Sequence, residues 1–374
     1  MSRTRVSAQS SKNEIYHMRF FFHKCRCGIK ELGANSNLDH VATLRSHCHR
    51  GKAKRKSFPI SFSLANMACQ ALITCLESYL LSLKSCYASL SGGDPTPECI
   101  RDHLATLISD YVSDMLQLED HTRKPLRVLG IGSGDGCKDI CFLEVLSNGG
   151  PKIKDKYLQL FQRTIEPNEE SLETFQAKSK YLPERLTSGA DVKFEWFPMT
   201  FQEYVKKEKK DDINFDVVHF FHSAYYVDFE TALVYCYEKE LGSKGIIACA
   251  ISHEESAFVR YSKEFSQQGL ILNPGPYYSS KDITDLAKKN SWKYLECPGH
   301  YIRCDITSIF DHSSVERNQL LNFLTHRVDF RATASQENRQ KVLDYWKNVC
   351  EEDKDSEKRT VWMKVCMIVI VKGM

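Results

Sequence analysis

The sequence lacks every short motif that would assign hydrolytic, phosphoryl-transfer or zinc-dependent chemistry. It holds no Walker-type phosphate loop, no H-E-x-x-H pair and no arrangement marking a Ser/His/Asp triad. Its 15 cysteines include no C-x-x-C pair. They are scattered without even spacing, the usage expected of reduced thiols in an intracellular protein rather than of a disulfide framework. Cys25-Arg26-Cys27 and His47-Cys48-His49 match no standard zinc module, so no metal is expected. A long uncharged run is also missing. The apolar stretch Phe58 to Leu83 carries Ser61, Ser63, Asn66, Gln70 and Thr74 before Glu77, which suits an amphipathic core helix and not a membrane span. No internal repeat is visible.

At 374 residues and 42% hydrophobic content the chain buries a substantial core. Its net charge of +3 is unevenly spread. Residues 1–56 carry 13 Lys/Arg against 3 Asp/Glu, and the remainder carries 38 against 45, which excludes nucleic acid as the main partner of the folded part. Residues 1–56 read as a basic, disordered tail, residues 57–120 as a helical region and residues 121–374 as the main domain. The expected state is a cytoplasmic monomer.

The chain is organised around Leu126 to Ile140, LRVLGIGSGDGCKDI. Arg127 to Ile131 reads as a strand; Gly132, Gly134 and Gly136 supply a turn of little bulk, and helical spacing follows from Asp139. Such a turn presents backbone N–H groups and a helix N-terminus to a crevice. The dinucleotide fingerprint G-x-G-x-x-G fails in both registers, with Asp135 or Cys137 at the third glycine, so NAD is disfavoured. A second strand, Tyr157 to Ile165, ends in Glu166, where a carboxylate is placed to accept from ribose hydroxyls. Further strands are predicted at Val192 to Phe197, Phe215 to Phe221, Gly245 to Ile251, Trp292 to Glu296, His300 to Asp305 and Val361 to Val371. Helices are predicted at Glu98 to Leu118, Glu169 to Lys178, Phe201 to Lys207, Phe229 to Glu240, Ser280 to Lys289 and Val315 to His326. The alternation predicts an α/β fold with its ligand crevice at the carboxyl ends of the strands.

The spacing G-x-G-x-G resembles the first motif of class I S-adenosylmethionine (SAM) methyltransferases, with Gly130 standing where that group has an acid. LGIGSGDG, IEP, VKFEW, DVVHFFHSAYY and FLTHRVDFRATA together resemble histamine N-methyltransferase and its carnosine methyltransferase-like relatives, over about Leu126 to Ile370. The resemblance implies a Rossmann-like, mostly parallel seven-stranded sheet with helices on both faces, and SAM as cofactor. It implies that Gly132, Gly134, Gly136 and Glu166 hold the cofactor, that Ser171 stands where the family has an amide near the adenosine, and that Phe201 and Phe221 flank the adenine. Tyr225, Tyr226 and His222 would form the transfer site, the tyrosine faces favouring a sulfonium or ammonium by ~0.5–2 kcal/mol. Phe258, Tyr261 and Phe323 would be pocket walls. In the family an acid before the first strand and an asparagine in the last strand contact the substrate; here Asp94 or Glu98 stands in for the acid, and Met363 occupies the asparagine position. The expected reaction is methyl transfer to a nitrogen of a small amine or imidazole compound. The alternatives are a SAM-binding homologue without catalysis and a nicotinamide-dependent oxidoreductase.

Overall fold

The structure, a computed structural model, describes residues 76–373 apart from short stretches, the longest being 112–124, 149–156, 208–212, 272–276 and 312–317. The basic segment 1–56, the Cys25/Cys27 and His47–His49 clusters and most of the Phe58 to Leu83 run lie outside the described residues. Among the described residues no helix is long and apolar enough to cross a membrane.

Strands β1 (Leu126–Ile131), β2 (Leu158–Ile165), β3 (Ala190–Phe197), β4 (Phe215–Phe221) and β5 (Leu241–Ser252) are followed by β6 (Lys293–Glu296), β7 (His300–Asp305), β8 (Glu351–Glu352) and β9 (Arg359–Lys372). The sheet order is β3-β2-β1-β4-β5-β9-β6, with β7 and β8 also pairing β9. The first five strands run parallel, and β9 is antiparallel to β5. The implied seven-strand path is therefore present; the strand predicted at His300 to Asp305 is β7, paired with β9 beside that path, and only the two-residue β8 was not expected. At fourteen residues, β9 is long enough to take β6 and then β7 along one edge.

Helices are α1 (Leu76–Ser89), α2 (Thr96–Cys99, continued by a π turn over Ile100–Leu104), α3 (Cys137–Asn148), α4 (Glu169–Ser179), α5 (Glu184–Thr187), α6 (Phe201–Lys206), α7 (Phe229–Tyr235), α8 (Ala257–Ser266), α9 (Ser280–Lys289), α10 (Asn318–Thr325), α11 (Phe330–Thr333) and α12 (Gln336–Val349). The sheet separates two cores. Val128, Val217, Ile246 and Val369 pack on one face with Phe142 and Phe175; Leu129, Val218, Ile247 and Ile370 pack on the other with Phe229 and Ile283. Neighbouring residues of each strand thus feed opposite faces, as the two-residue period requires. Each fully buried aliphatic side chain contributes roughly 1.5–3 kcal/mol.

A third core lies beyond the strand ends, where α8, α10, α12, β7 and the start of β9 meet around Phe258, Tyr261, Phe330 and Trp346. The sequence reading misses α8 and α12, although in α8 Phe258, Tyr261 and Phe265 recur at helical spacing on one buried face. In α12 only Val342 and Trp346 are buried, so its apolar signal is a single i, i+4 pair within a charged run. The helix predicted from Glu98 starts two residues earlier, at Thr96, and much of its second half lies outside the described residues.

Candidate functional site

The glycine turn folds as it does because side chains are sterically excluded from it. Gly132, Gly134 and Gly136 have φ of +66°, +57° and +75°, values at which a Cβ clashes with its own backbone. A Cβ on Gly132 would lie 2.5 Å from Ser223 Cβ, and one on Gly136 would lie 2.1 Å from the Phe175 ring. Gly134 instead faces open space. Gly130, the position where an acid was expected, is just as constrained. A Cβ there would come within 2.7–2.9 Å of Ser133 Oγ, Asp139 Oδ1 and His219 Nε2. The Asp139 carboxylate fills that space and accepts from Ser133 Oγ (2.7 Å) and Gln162 Nε2 (2.5 Å), beside His219 Nε2 at 3.2 Å. A buried acid is thus supplied from α3, one turn past the glycines, and ties the turn down through Ser133.

Glu166 stands at the tip of β2, 7% exposed. Its Oε2 accepts from Gly134 N–H at 2.7 Å and its Oε1 from Asn168 N–H at 2.9 Å. Burial raises its pKa, and the two N–H donors act against that rise. Each oxygen keeps a lone pair for a further donor. The Asn168 side chain caps α4 through Ser171 N–H (2.9 Å), and Thr200 with Glu203 forms a capping box that fixes Phe201 at the start of α6.

These groups border one cavity of about 720 Å³ at the carboxyl ends of the strands. Gly132, Gly134, Glu166, Ser171, Phe201, Phe221, His222, Tyr225, Tyr226, Phe258, Tyr261, Phe323 and Met363 all line it. Phe201 and Phe221 belong to cores on opposite faces of the sheet and reach it from two sides. Two expectations need correction. Gly136 is not in the lining; its missing side chain makes room for Phe175 between α3 and α4. Glu98 is exposed and outside the lining, because it faces outward in the first turn of α2; Asp94, in the loop before α2, lines the cavity instead.

The cavity wall around Tyr225 and Tyr226 is aromatic. Tyr226 OH meets Tyr79 OH at 2.6 Å, and Tyr225 stacks on Tyr277 with centroids 5.0 Å apart. His222 and His326 both line it, and both adopt left-handed φ, +57° and +51°. Non-glycine residues held there cluster at binding sites, where the surrounding fold offsets the strain. Thr96 Oγ1 donates to Asp94 Oδ1 at 2.6 Å, which leaves His222 Nε2 to donate to Thr96 Oγ1 at 2.9 Å. His222 Nδ1 then carries a lone pair beside Tyr225 OH, 3.4 Å away. Burial pushes the His222 pKa down to about 4, so the ring is neutral. Lys138, the second residue of α3, also lines the cavity and pairs with Asp94 at 2.8 Å. Burial alone would raise the Asp94 carboxyl, but the Lys138 ammonium, His222 and the Thr96 hydrogen bonds outweigh it and hold it at about 2.

Tyr79, Tyr277, Asn168, Lys138 and the Asp139–His219 pair escape the sequence reading. Tyr79 and Tyr277 stand 53 residues before and 145 residues after Gly132, Tyr79 within the run read only as a core helix and Tyr277 in a segment without a local signal. Lys138 and Asp139 lie inside the glycine motif, and their polarity just after a turn reads as an ordinary helix start.

No family model matches the chain. It is 26% identical over 216 residues to carnosine N-methyltransferase 2 of Gallus gallus, covering 57% of this chain and 63% of that protein, so it spans under two thirds of that relative's length. It is 24% identical over 276 residues to histamine N-methyltransferase of Danio rerio, covering 72% of this chain and 88% of that protein. Among solved structures, the plantazolicin methyltransferase BpumL in complex with a desmethyl-plantazolicin analog and S-adenosylhomocysteine (SAH) aligns with a TM-score of 0.39 at 12% identity, over 81% of this chain and 93% of that one. The chain is thus similar, at about a quarter identity, to proteins named histamine and carnosine N-methyltransferase.

Proposed function

We propose that the protein is a SAM-dependent N-methyltransferase acting on a nitrogen of a small amine or imidazole compound. The observation that carries this reading is the carboxylate of Glu166, held by Gly134 and Asn168 N–H groups at the side of a cavity of about 720 Å³ that is also walled by tyrosines. The similarity to the named N-methyltransferases supports it. SAM would supply a methyl group on a sulfonium, a leaving group good enough that in-line displacement needs alignment more than activation.

The residues fit that task. Glu166 offers acceptor lone pairs to a diol, and Gly132 and Gly134 let the donor approach the backbone. Tyr225, Tyr226, Tyr79 and Tyr277 line the cavity in ring and hydroxyl contact with one another, a wall that would keep water from the reacting centre and stand beside a cationic group. His222 Nδ1 accepts a hydrogen bond from the acceptor and so orients it. With its pKa near 4, taking a proton from a methylated imidazole, ordinarily near 6.5, is uphill by roughly 3 kcal/mol. Its role is therefore orientation, and the product proton leaves by another route.

Isothermal titration with SAM, SAH and NAD(H), followed by mass spectrometry of histamine, carnosine and tissue-extract amines incubated with SAM, tests this. SAH binding with methylated product is the expected result; NAD(H) binding without SAH binding overturns it. Met363 in the asparagine position and the Lys138 partner already on Asp94 favour a second reading, a donor-binding homologue without turnover. Tight SAH binding with no product from any amine would establish that one.

A further inference from the structure

Lys138 and Asp94 line the cavity together with side chains 19% and 20% exposed and charges 2.8 Å apart. Lys138 also reaches Tyr87 OH at 3.4 Å and sits 5.3 Å from its ring centroid. Asp94 is fixed by Thr96 N–H at 2.9 Å and Thr96 Oγ1 at 2.6 Å. Both side chains are therefore held rather than waving in solvent, two residues past the glycine turn on one side and beside His222 on the other.

A lone ammonium entering here must take Asp94 from Lys138 and leave the lysine unpaired, and a lone anion must do the reverse. Stripping one partner from a poorly solvated pair is costly. A ligand carrying both charges escapes that cost, because Lys138 gains its carboxylate while Asp94 gains its ammonium, in charge-assisted hydrogen bonds on both sides. We propose that Lys138 and Asp94 form a recognition site for an amino-acid-type zwitterion, Lys138 holding the carboxylate and Asp94 the ammonium. Two molecules in the reaction carry such a group: the methionine tail of the donor, and an acceptor that is itself an amino acid or small peptide. The inference rests on the methyltransferase reading and deepens it.

The test compares wild-type protein with Lys138→Met and with the charge-neutral pair Lys138→Met/Asp94→Asn, each checked for an unchanged melting transition. The first readout is the ratio of affinities for SAH and 5′-methylthioadenosine, which lacks the amino-acid tail. The second is the ratio of kcat/KM for carnosine and for histamine, which lacks the carboxylate. A tenfold or greater fall in the first ratio, with methylthioadenosine affinity kept within about twofold, assigns the site to the donor tail. A comparable fall in the second ratio alone assigns it to the acceptor. If both variants leave both ratios unchanged, the proposal is wrong while the methyltransferase reading stands. Wild-type protein that binds neither nucleoside removes both.

Discussion

Two parts of the cavity wall, a Glu166 end and a tyrosine end, are built on different principles. The Glu166 end is built mainly by Gly132 to Ser171, with Phe201 and Phe221 beside it, and depends on backbone N–H groups, positive φ and hydrogen bonds to the Glu166 carboxylate. The tyrosine end is assembled from side chains of α1, the tip of β4, the segment before α9, α10 and β9. The first kind of construction is rigid and tolerates few substitutions. The second is a packed surface in which single groups are exchangeable at modest cost. The comparison predicts that damage at the first end removes donor binding or the fold, while damage at the second redistributes acceptor preference.

Gly136→Val is the severest way to probe that contrast. Its Cβ would overlap the Phe175 ring at a left-handed φ, so equilibrium denaturation should show a loss of about 3 kcal/mol or more. A loss under 1 kcal/mol would show that the turn is not rigid.

Acid should act next, through the tyrosine end. Burial lowers the pKa of both His222 and His326 to about 4. In the unfolded chain each titrates near 6.5, so between those values the unfolded state binds protons that the folded state refuses. Their contribution is complete above pH 6.5 and is lost as pH falls toward 4, on the order of 2 kcal/mol or more for the pair by pH 5. Denaturant midpoints should fall over that window, and His222→Gln with His326→Gln should flatten the fall. Asp94 acts lower, its contribution being lost as pH falls from about 3.8 toward 2.

Glu166→Gln keeps the shape of the side chain and removes its charge. It should weaken SAH binding by on the order of 1–3 kcal/mol with little change in acceptor KM. A shift in acceptor KM alone would reverse the assignment of the two ends. The smallest effect is expected from Tyr226→Phe and Tyr79→Phe, which break one 2.6 Å hydrogen bond. Each should lower kcat/KM severalfold without moving donor affinity, with a coupling of about 1 kcal/mol in the double-mutant cycle.

What the sequence disclosed follows the same division. Gly132, Gly134 and Glu166 are legible because a strand, a glycine turn and a strand-end acid leave a local pattern. The strands were legible too, since buried runs such as Gly245 to Ile251 need no distant partner to be recognised. Gly136 was visible, but its packing against Phe175 was not, because spacing does not reveal whether a missing side chain admits a ligand or a neighbouring ring. Glu98 and Asp94 are four residues apart, and only the outward turn at the start of α2 separates them. Tyr79, Tyr277 and Lys138 were illegible because their meaning exists only after distant segments converge.

Strand β9 carries this division within a single element. Its last residues, Cys366 to Val371, are buried in the sheet against β5 and β6, while Met363 and Val365 border the cavity. A lineage could retune what enters the chamber by editing one half of the ribbon while the other half keeps the architecture unchanged.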